Sequence, residues 1–352
     1  MGVSRRNSNI LDVGDLFYEE RKRAIATVPY VRDGVSLFLG DAMQCYPEWP
    51  TPVVIISDGP YGLGSFPGDP HSPDELASWY LPHIREWTKH STPMTTLWFW
   101  NSEQGWANVH RTIVDEGWEF RNCHIWNKGI GHIAGNCNTK TIRKFPVTTE
   151  VCVQYVRKAE FAVGGAKVSM QEWLRLEWER TGLPMYLTNA ACGVKNAATR
   201  KYFTKDHLWY FPPPEAFEQL QKYANQNGSK DGRPYFSING KRPLTKNEWA
   251  KMRAKFYCRN GITNVWEEPA VRGVERLKKK YKCVHTNQKP LRLIERCIEA
   301  SSDRGDMVWE PFGGLCSAAI ASHKLKRPCC SAEINGDFFE VARKRLENYD
   351  VF

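Results

Sequence analysis

The run Ser57-Asp58-Gly59-Pro60-Tyr61-Gly62 puts an acid and an aromatic ring on one short turn. A carboxylate accepts hydrogen bonds, and the face of a tyrosine is a stacking platform. Together they suit a planar ring that bears an amino group, such as a nucleobase. The turn follows Val53-Val54-Ile55-Ile56, a short β-branched run that reads as a buried parallel strand stopped by glycine and proline. Ligands of open α/β sheets bind beyond the carboxyl ends of strands, so Asp58 and Tyr61 are expected at the rim of a crevice, on a stiff loop.

A second site lies some 250 residues later, in Met307-Val308-Trp309-Glu310-Pro311-Phe312-Gly313-Gly314-Leu315-Cys316-Ser317. It reads as strand, glycine turn, helix. Glycines allow a ligand close to the backbone, and a helix start offers free N–H groups. The segment has neither Gly-x-Gly-x-x-Gly nor Gly-Lys-Ser/Thr, which weakens dinucleotide and nucleoside-triphosphate readings. The following strand, Cys329-Cys330-Ser331-Ala332, ends in Glu333, and an acid at that place commonly binds ribose hydroxyls. The unit is suited to a nucleoside without a pyrophosphate, and S-adenosylmethionine fits.

Upstream stands His285-Thr286-Asn287-Gln288-Lys289-Pro290-Leu291. The order of these segments resembles the β-class amino DNA methyltransferases of the restriction-modification type. In that family an Asp-Pro-Pro-Tyr motif precedes a His-x-x-Gln-Lys-Pro segment, an Asp-Pro-Phe-Gly-Gly turn, an acidic strand end and a closing helix. The likeness covers about residues 35–158 and 284–349. It implies catalysis at Asp58, Gly59, Pro60 and Tyr61. It implies a cofactor site of Asp41, Asp58, Lys289, Pro290, Glu310, Pro311, Phe312, Gly313, Gly314, Ser317, Glu333 and Asn335. Within it, Asp41 would serve the adenine side, Lys289 and Pro290 the methionine end, and Glu333 the ribose. Trp126-Asn127-Lys128 and residues 147–155 match strands that flank the target-base pocket. Three departures stand out. Glu310 replaces an aspartate, Leu315-Cys316 replaces a small residue and a glycine, and Gly59 replaces a proline. Gly59 is expected to loosen the loop at an entropic cost on the order of 1 kcal/mol or less, while keeping the backbone carbonyl that the chemistry uses.

The resemblance implies methyl transfer from S-adenosylmethionine to adenine N6 in duplex DNA, after the base is flipped out. In the family, Asp at the first motif position usually accompanies adenine and Ser accompanies cytosine. The register Asp58-x-Pro60-Tyr61 favours adenine, with cytosine N4 as the alternative. A non-catalytic DNA-binding protein on the same scaffold, and an RNA or protein methyltransferase, are the competing classes. A separately acting restriction endonuclease is compatible with the family, as is a monomer or a homodimer.

Strands must alternate with helices to carry these segments. Strands are expected at 36–39, 53–56, 94–100, 120–126, 149–155, 307–309 and 329–333. Helices are expected at 42–49, 72–90, 101–116, 317–323 and 337–349, with another inside 285–302. The fold class is therefore α/β, a Rossmann-like S-adenosylmethionine-dependent methyltransferase sheet with an inserted, largely helical target-recognition region. Its parts would be an arm at 1–30 with a charged helix around Glu19-Glu20-Arg21-Lys22-Arg23, catalytic portions at 31–159 and 284–352, and the insertion at 160–283. Within the insertion, residues 187–203 read as a helix-turn-helix whose Lys195, Asn196, Thr199, Arg200 and Lys201 would face the major groove. Arg272, Arg276 and Lys278, with Lys279, Lys280 and Lys282, are expected on phosphates.

Composition agrees with a polyanionic partner that has stackable bases. The 352 residues carry a formal charge of +10, with 14 Trp, 14 Tyr and 16 Phe. The 11 scattered cysteines form no Cys-x-x-Cys pair, so reduced thiols, no metal site and a cytoplasmic location are expected. The polar start of the chain suggests no signal peptide, and no run is long and apolar enough to span a membrane.

Overall fold

The computed structural model describes residues 28–64, 68–133, 140–230, 232–272, 276, 278–279, 282–283 and 287–348. The arm helix around 19–23, His285, Thr286 and Lys280 lie outside the described residues. The chain divides into two compact units. One comprises Met1–Ser91, Thr96–Tyr155 and Phe256–Phe352, and the other Thr92–Thr95 and Val156–Lys255.

The first unit is built on a nine-stranded sheet. Its strands and helices in chain order are β1 (Tyr30–Arg32), β2 (Val35–Leu39), α1 (Ala42–Cys45), β3 (Val54–Ser57), α2 (Leu76–His90), β4 (Thr96–Asn101), α3 (Glu103–Asp115), β5 (Trp118–Asn127) and β6 (Thr149–Arg157). The second unit interposes β7 (Glu160–Val163), β8 (Ala166–Ser169), α4 (Met170–Glu179), α5 (Leu187–Ala191), α6 (Ala197–Tyr202), α7 (Pro214–Asn227) and α8 (Lys246–Ala250). The first unit then resumes with β9 (Val265–Glu267), β10 (Lys278–Lys279), β11 (Lys282–Cys283), α9 (Leu291–Ser301), β12 (Val308–Glu310), α10 (Ser317–Leu325), β13 (Cys329–Glu333) and α11 (Gly336–Glu347).

The spatial order is β1-β2-β13-β12-β3-β4-β6-β5-β9. From β2 to β4 every neighbouring pair is parallel, so β2, β13, β12, β3 and β4 end on the same edge. Between β12 and β3 the strand order reverses: β3 leads outward to β4, and β12 leads the other way to β13. That is the place where an open α/β sheet forms its ligand crevice. The central strands are buried along their whole length, as parallel strands covered on both faces must be. Helix α9 covers one face with a single apolar stripe of Leu293, Ile294, Cys297 and Ile298, spaced for one side of a helix. Helix α2 covers the other side of the core with Leu76, Tyr80, Ile84 and Trp87, and Ser72 caps the turn that leads into it.

β9 pairs in parallel with β5, through Trp126 and Trp266, and so belongs to the main sheet. The expectation that residues 160–283 form one insertion is corrected at its end: the second unit closes at Lys255. Its own core is aromatic. Trp249 stacks on Phe217 at 4.2 Å and on Phe211 at 4.6 Å, and Trp173 stacks on Phe161 at 4.5 Å. The β7–β8 hairpin turns through Gly164 and Gly165, both at positive φ, where a side chain would be strained. Buried Glu177 on α4 accepts from the Phe236 amide at 2.7 Å and from Arg180 at 3.0 Å, which ties that helix to the 233–237 segment. Among the described residues, no helix is long and apolar enough to cross a membrane.

Candidate active site

Asp58 begins the turn after β3, and its carboxylate is a quarter exposed. Its Oδ1 accepts from Lys289 Nζ at 2.7 Å and from the Tyr61 hydroxyl at 3.2 Å. Among the described residues no donor meets Oδ2. The Tyr61 hydroxyl also lies 3.1 Å from Glu150 Oε2, and Lys289 Nζ lies 3.4 Å from the same oxygen. Lys128, at the end of β5, pairs with the other oxygen of Glu150. Two acids, two lysines and a phenol thus form one buried cluster. Burial pushes the Asp58 carboxyl above its usual range, although Lys289 opposes this. Burial also disfavours charge on Lys289 and Glu150, but the opposite charges win: Lys289 is held above the ordinary lysine value and Glu150 below the ordinary glutamate value. The ammonium of Lys289 sits 5.2 Å from the Tyr61 ring centre and 5.6 Å from that of Trp100.

The loop itself is rigid. The Pro60 carbonyl accepts from Asn101 Nδ2 at 2.9 Å and from the Tyr80 hydroxyl at 3.1 Å. The Asp69 carboxylate receives the amides of Gly62 and Leu63 at 3.0 and 3.3 Å. Gly59 does not loosen this loop, contrary to expectation. A Cβ there would meet the Phe312 ring and the Tyr80 hydroxyl at 2.6 Å, so glycine is needed for close packing. Phe312, partly buried, fits into an aromatic nest of Trp79, Tyr80, His83 and Trp87 from α2.

The glycine turn after β12 is held from both sides. Gly313 donates to the Ala332 carbonyl at 2.7 Å, and a Cβ at Gly313 would meet Cys316 Sγ and Ser331 Oγ at 2.9 Å. Glu333 Oε2 accepts from the Gly314 amide at 2.6 Å, and its Oε1 accepts from the Asn335 amide at 2.7 Å. Burial raises the Glu333 carboxyl to about 7. Gly40, next to Asp41, donates to the Glu333 carbonyl at 2.9 Å, which puts Asp41 beside that strand end.

The placement of Glu310 toward a ligand is corrected. Its carboxylate points inward and accepts from the amides of Ala318 and Ala319 at 2.7 and 3.1 Å and from the Ser331 hydroxyl at 2.7 Å. It caps α10, whose nominal cap position, Cys316, sits in the left-handed region at φ 52°. Several other expected ligand residues also serve their own backbone. Asp41 caps α1 through the Met43 amide, Asn335 caps α11, and Ser317 Oγ accepts from Arg345 at 3.2 Å. Pro311 and Pro290 are buried, the latter just ahead of α9. Trp126 is a core aromatic.

In the second unit, where a helix-turn-helix is expected, two short helices of five and six residues, α5 and α6, flank Gly193. Lys195, Asn196, Arg200 and Lys201 are exposed. Thr199 is not available to a groove. Its hydroxyl bonds Thr188 Oγ1 at 2.7 Å and its amide donates to Asn189 Oδ1 at 3.1 Å, because the two short helices need it to hold together. In the first unit, exposed Arg272 donates to the Gly131 carbonyl at 3.0 Å and Arg276 to that of Val271 at 3.3 Å. Lys278 lies on β10.

Glu150, Asn101 and Tyr80 were not singled out by sequence reasoning. The one available signal for Glu150 was an acid at the start of the largely apolar strand 149–155.

The residues at the ends of β13, β12 and β3 suit S-adenosylmethionine by their chemistry: a buried carboxylate for hydroxyls at Glu333, a glycine turn beside it, and the Asp58 acceptor across the switch point. Comparison with known proteins agrees. A family model described as DNA methylase, of the N6/N4 class, matches residues 53–344. The type II methyltransferase M.ScaI of Streptomyces caespitosus is 28% identical over 183 residues, 49% of this chain and 53% of that protein. The DNA adenine methyltransferase YhdJ of Escherichia coli (strain K12) is 36% identical over 84 residues, 24% of this chain and 27% of that protein. The chain therefore spans about a quarter to a half of the length of these curated relatives. The PvuII DNA methyltransferase (cytosine-N4-specific) shares the fold, with a TM-score of 0.53 at 12% identity over 91% of this chain and 89% of that one. The chain belongs to the N6/N4 DNA methylase family, whose cofactor is S-adenosylmethionine.

Proposed function

We propose that this protein methylates the N6 amino group of adenine at a specific site in duplex DNA. The observation that carries the reading is the Asp58 carboxylate. It is fixed through Oδ1, open at Oδ2, and stands at the switch point next to the glycine turn of β12. An amino group inside a duplex is paired, so the target base must leave the stack to reach it. Tyr61 offers the ring on which an extruded base stacks. Asp58 Oδ2 accepts one amino hydrogen. The Pro60 carbonyl is committed to Asn101 and Tyr80, which leaves the Gly59 carbonyl as the second acceptor. Accepting both hydrogens draws the nitrogen lone pair out of ring conjugation and makes it nucleophilic. Glu333, Asp41 and the turn at Gly313 and Gly314 would hold the S-adenosylmethionine. When bound, that cofactor supplies a methyl group already electrophilic on its sulfonium. The protein's share of the catalysis is mainly positioning.

Asp at position 58 and the name of the adenine-specific relative support adenine. Cytosine N4 is the alternative substrate of the same machinery. The exposed Lys195, Asn196, Arg200 and Lys201 are proposed to read the duplex, and Arg272, Arg276 and Lys278 to meet phosphates, in a cytoplasmic enzyme with which a separately acting restriction endonuclease is compatible. Methylation-sensitive sequencing of DNA from cells that express the chain, with mass spectrometry of its nucleosides, tests the reading. N6-methyladenine at one recurrent sequence is expected. N4-methylcytosine moves the assignment to the alternative base, and unmodified DNA defeats it.

A further inference from the structure

The cluster behind Asp58 is a closed ring. Lys289 touches both carboxylates, at 2.7 Å to Asp58 and 3.4 Å to Glu150. Tyr61 touches the same two, at 3.2 and 3.1 Å. Every link to Asp58 falls on Oδ1, so the ring sets which oxygen faces the crevice. We infer that Glu150 is a positioning residue of the methyl transfer: it holds Lys289 and Tyr61 in place, and through them fixes the carboxylate of Asp58 with one oxygen presented to the substrate amino group. This rests on the reading of Asp58 as the acceptor of that group.

Charge balance supports the assignment. Asp58 and Glu150 supply two negative charges, Lys289 and Lys128 two positive ones, and all four are held largely away from water. A buried pair that loses one member leaves an uncompensated charge. Without Glu150, Lys289 loses one of its two carboxylates and Lys128 loses its partner, which leaves an excess positive charge beside Asp58. The Asp58 carboxylate would then be drawn toward that charge and become a poorer acceptor. The other groups that face this cluster are His132, after β5, and Tyr80, on α2, together with Cys152 on β6. His132 is pushed below its ordinary value, first by burial and then by Lys128.

The test compares wild type with Glu150→Gln, which keeps the side-chain shape and removes the charge. Methyl incorporation into DNA is measured across pH, with calorimetric binding of S-adenosylmethionine alone. The expected result is a fall in kcat of about tenfold or more, less than the roughly 100- to 1,000-fold cost of losing a direct transition-state contact, since Glu150 acts through Asp58. The KM for S-adenosylmethionine should rise by no more than about threefold, a smaller change than that in kcat, since Glu333, Asp41 and the glycine turn are left in place. Because Glu150 raises the Asp58 carboxyl, the acidic limb of the rate profile should move to lower pH, by on the order of half a unit to one unit. Glu150→Gln combined with Lys128→Met restores net neutrality. It should recover thermal stability while kcat stays low, and it is the variant to read if the single substitution fails to fold. A folded variant with wild-type kcat and an unmoved acidic limb overturns the inference. So does full recovery of rate in the double variant, which would reduce Glu150 to charge balance. A wild-type protein that methylates no DNA defeats the underlying reading instead, and is seen before any substitution is made.

Discussion

Asp58 and Glu310 stand at the ends of neighbouring parallel strands, and each leads into a turn of proline and an aromatic residue. Their surroundings differ in one respect that decides what they can do. Asp58 is bonded by side chains, through one oxygen only. Glu310 is bonded by two backbone amides and a hydroxyl, through both oxygens. Asp58 keeps a whole oxygen for a ligand, whereas Glu310, with three donors on a carboxylate turned inward under α10, is part of the scaffold. Two acids that read alike in a motif therefore belong to different links of the chain, one to chemistry and one to folding.

Six substitutions bear on this contrast. Asp58→Asn should lower kcat on the order of 100- to 1,000-fold, the cost of losing an aligned transition-state contact, with the fold and cofactor binding retained. Radiolabelled methyl transfer with parallel calorimetry measures this, and a loss confined to KM would erase the distinction. Glu310→Ala orphans three donors and should cost about 2–4 kcal/mol in urea denaturation, with proportionally little effect on the rate of the folded fraction.

Glu310 also predicts a pH effect. Burial raises it from 4.5 to about 7 despite the amide donors. An acid that binds its proton more tightly when folded contributes most stability below about 4.5, and that contribution fades as pH rises through about 7. Between those values Glu310→Gln should flatten the decline in stability relative to wild type, by up to about 3 kcal/mol at ~1.4 kcal/mol per unit. Parallel slopes would mean that the amides, not burial, govern this carboxyl.

Gly59→Ala drives a methyl into Phe312 and Tyr80 and should destabilise by about 1–3 kcal/mol. Phe312→Leu in the same chain should return part of the loss, since it opens the colliding ring. Independent, additive effects would break the coupling between the two turns. Cys316→Gly should matter least. Relief of the left-handed backbone, worth roughly 1–2 kcal/mol, is set against a lost buried thiol, so the denaturation midpoint should stay within about 1 kcal/mol of wild type. A much larger loss would show that sulfur packing governs the turn.

The frame of the molecule was readable from residues alone where burial leaves a local mark. The runs that became β3, β12 and β13 are short and apolar, with glycine or an acid at their ends, and the motifs at those ends marked the crevice. What escaped depends on distant partners. The space beside Gly59 is filled by Phe312, which no local pattern could tell. Glu310 finds its donors on the following helix, and Glu150 reads as an ordinary strand-start acid until Lys128, Lys289 and Tyr61 converge on it. β9 has three residues in a basic, aromatic stretch, too few to show alternation. The Gly164-Gly165 hairpin did carry a turn signal, obscured by the polar residues around it.

The sheet order has a consequence for synthesis. The strands at its centre, β12 and β13, follow every other strand of the sheet in the chain, and their partners β3 and β2 precede them by more than 250 residues: Val308 sits opposite Val54, and Cys329 opposite Val35. A nascent chain must therefore keep a two-strand gap in the middle of its sheet, with both flanking edges unpaired, until β12 and β13 arrive. Long-range pairing of this kind is slow, and open strand edges invite aggregation. Slow strand insertion, rather than formation of the early helices, should limit how fast the newly made protein gains activity, and chaperone demand should peak before β12 and β13 emerge.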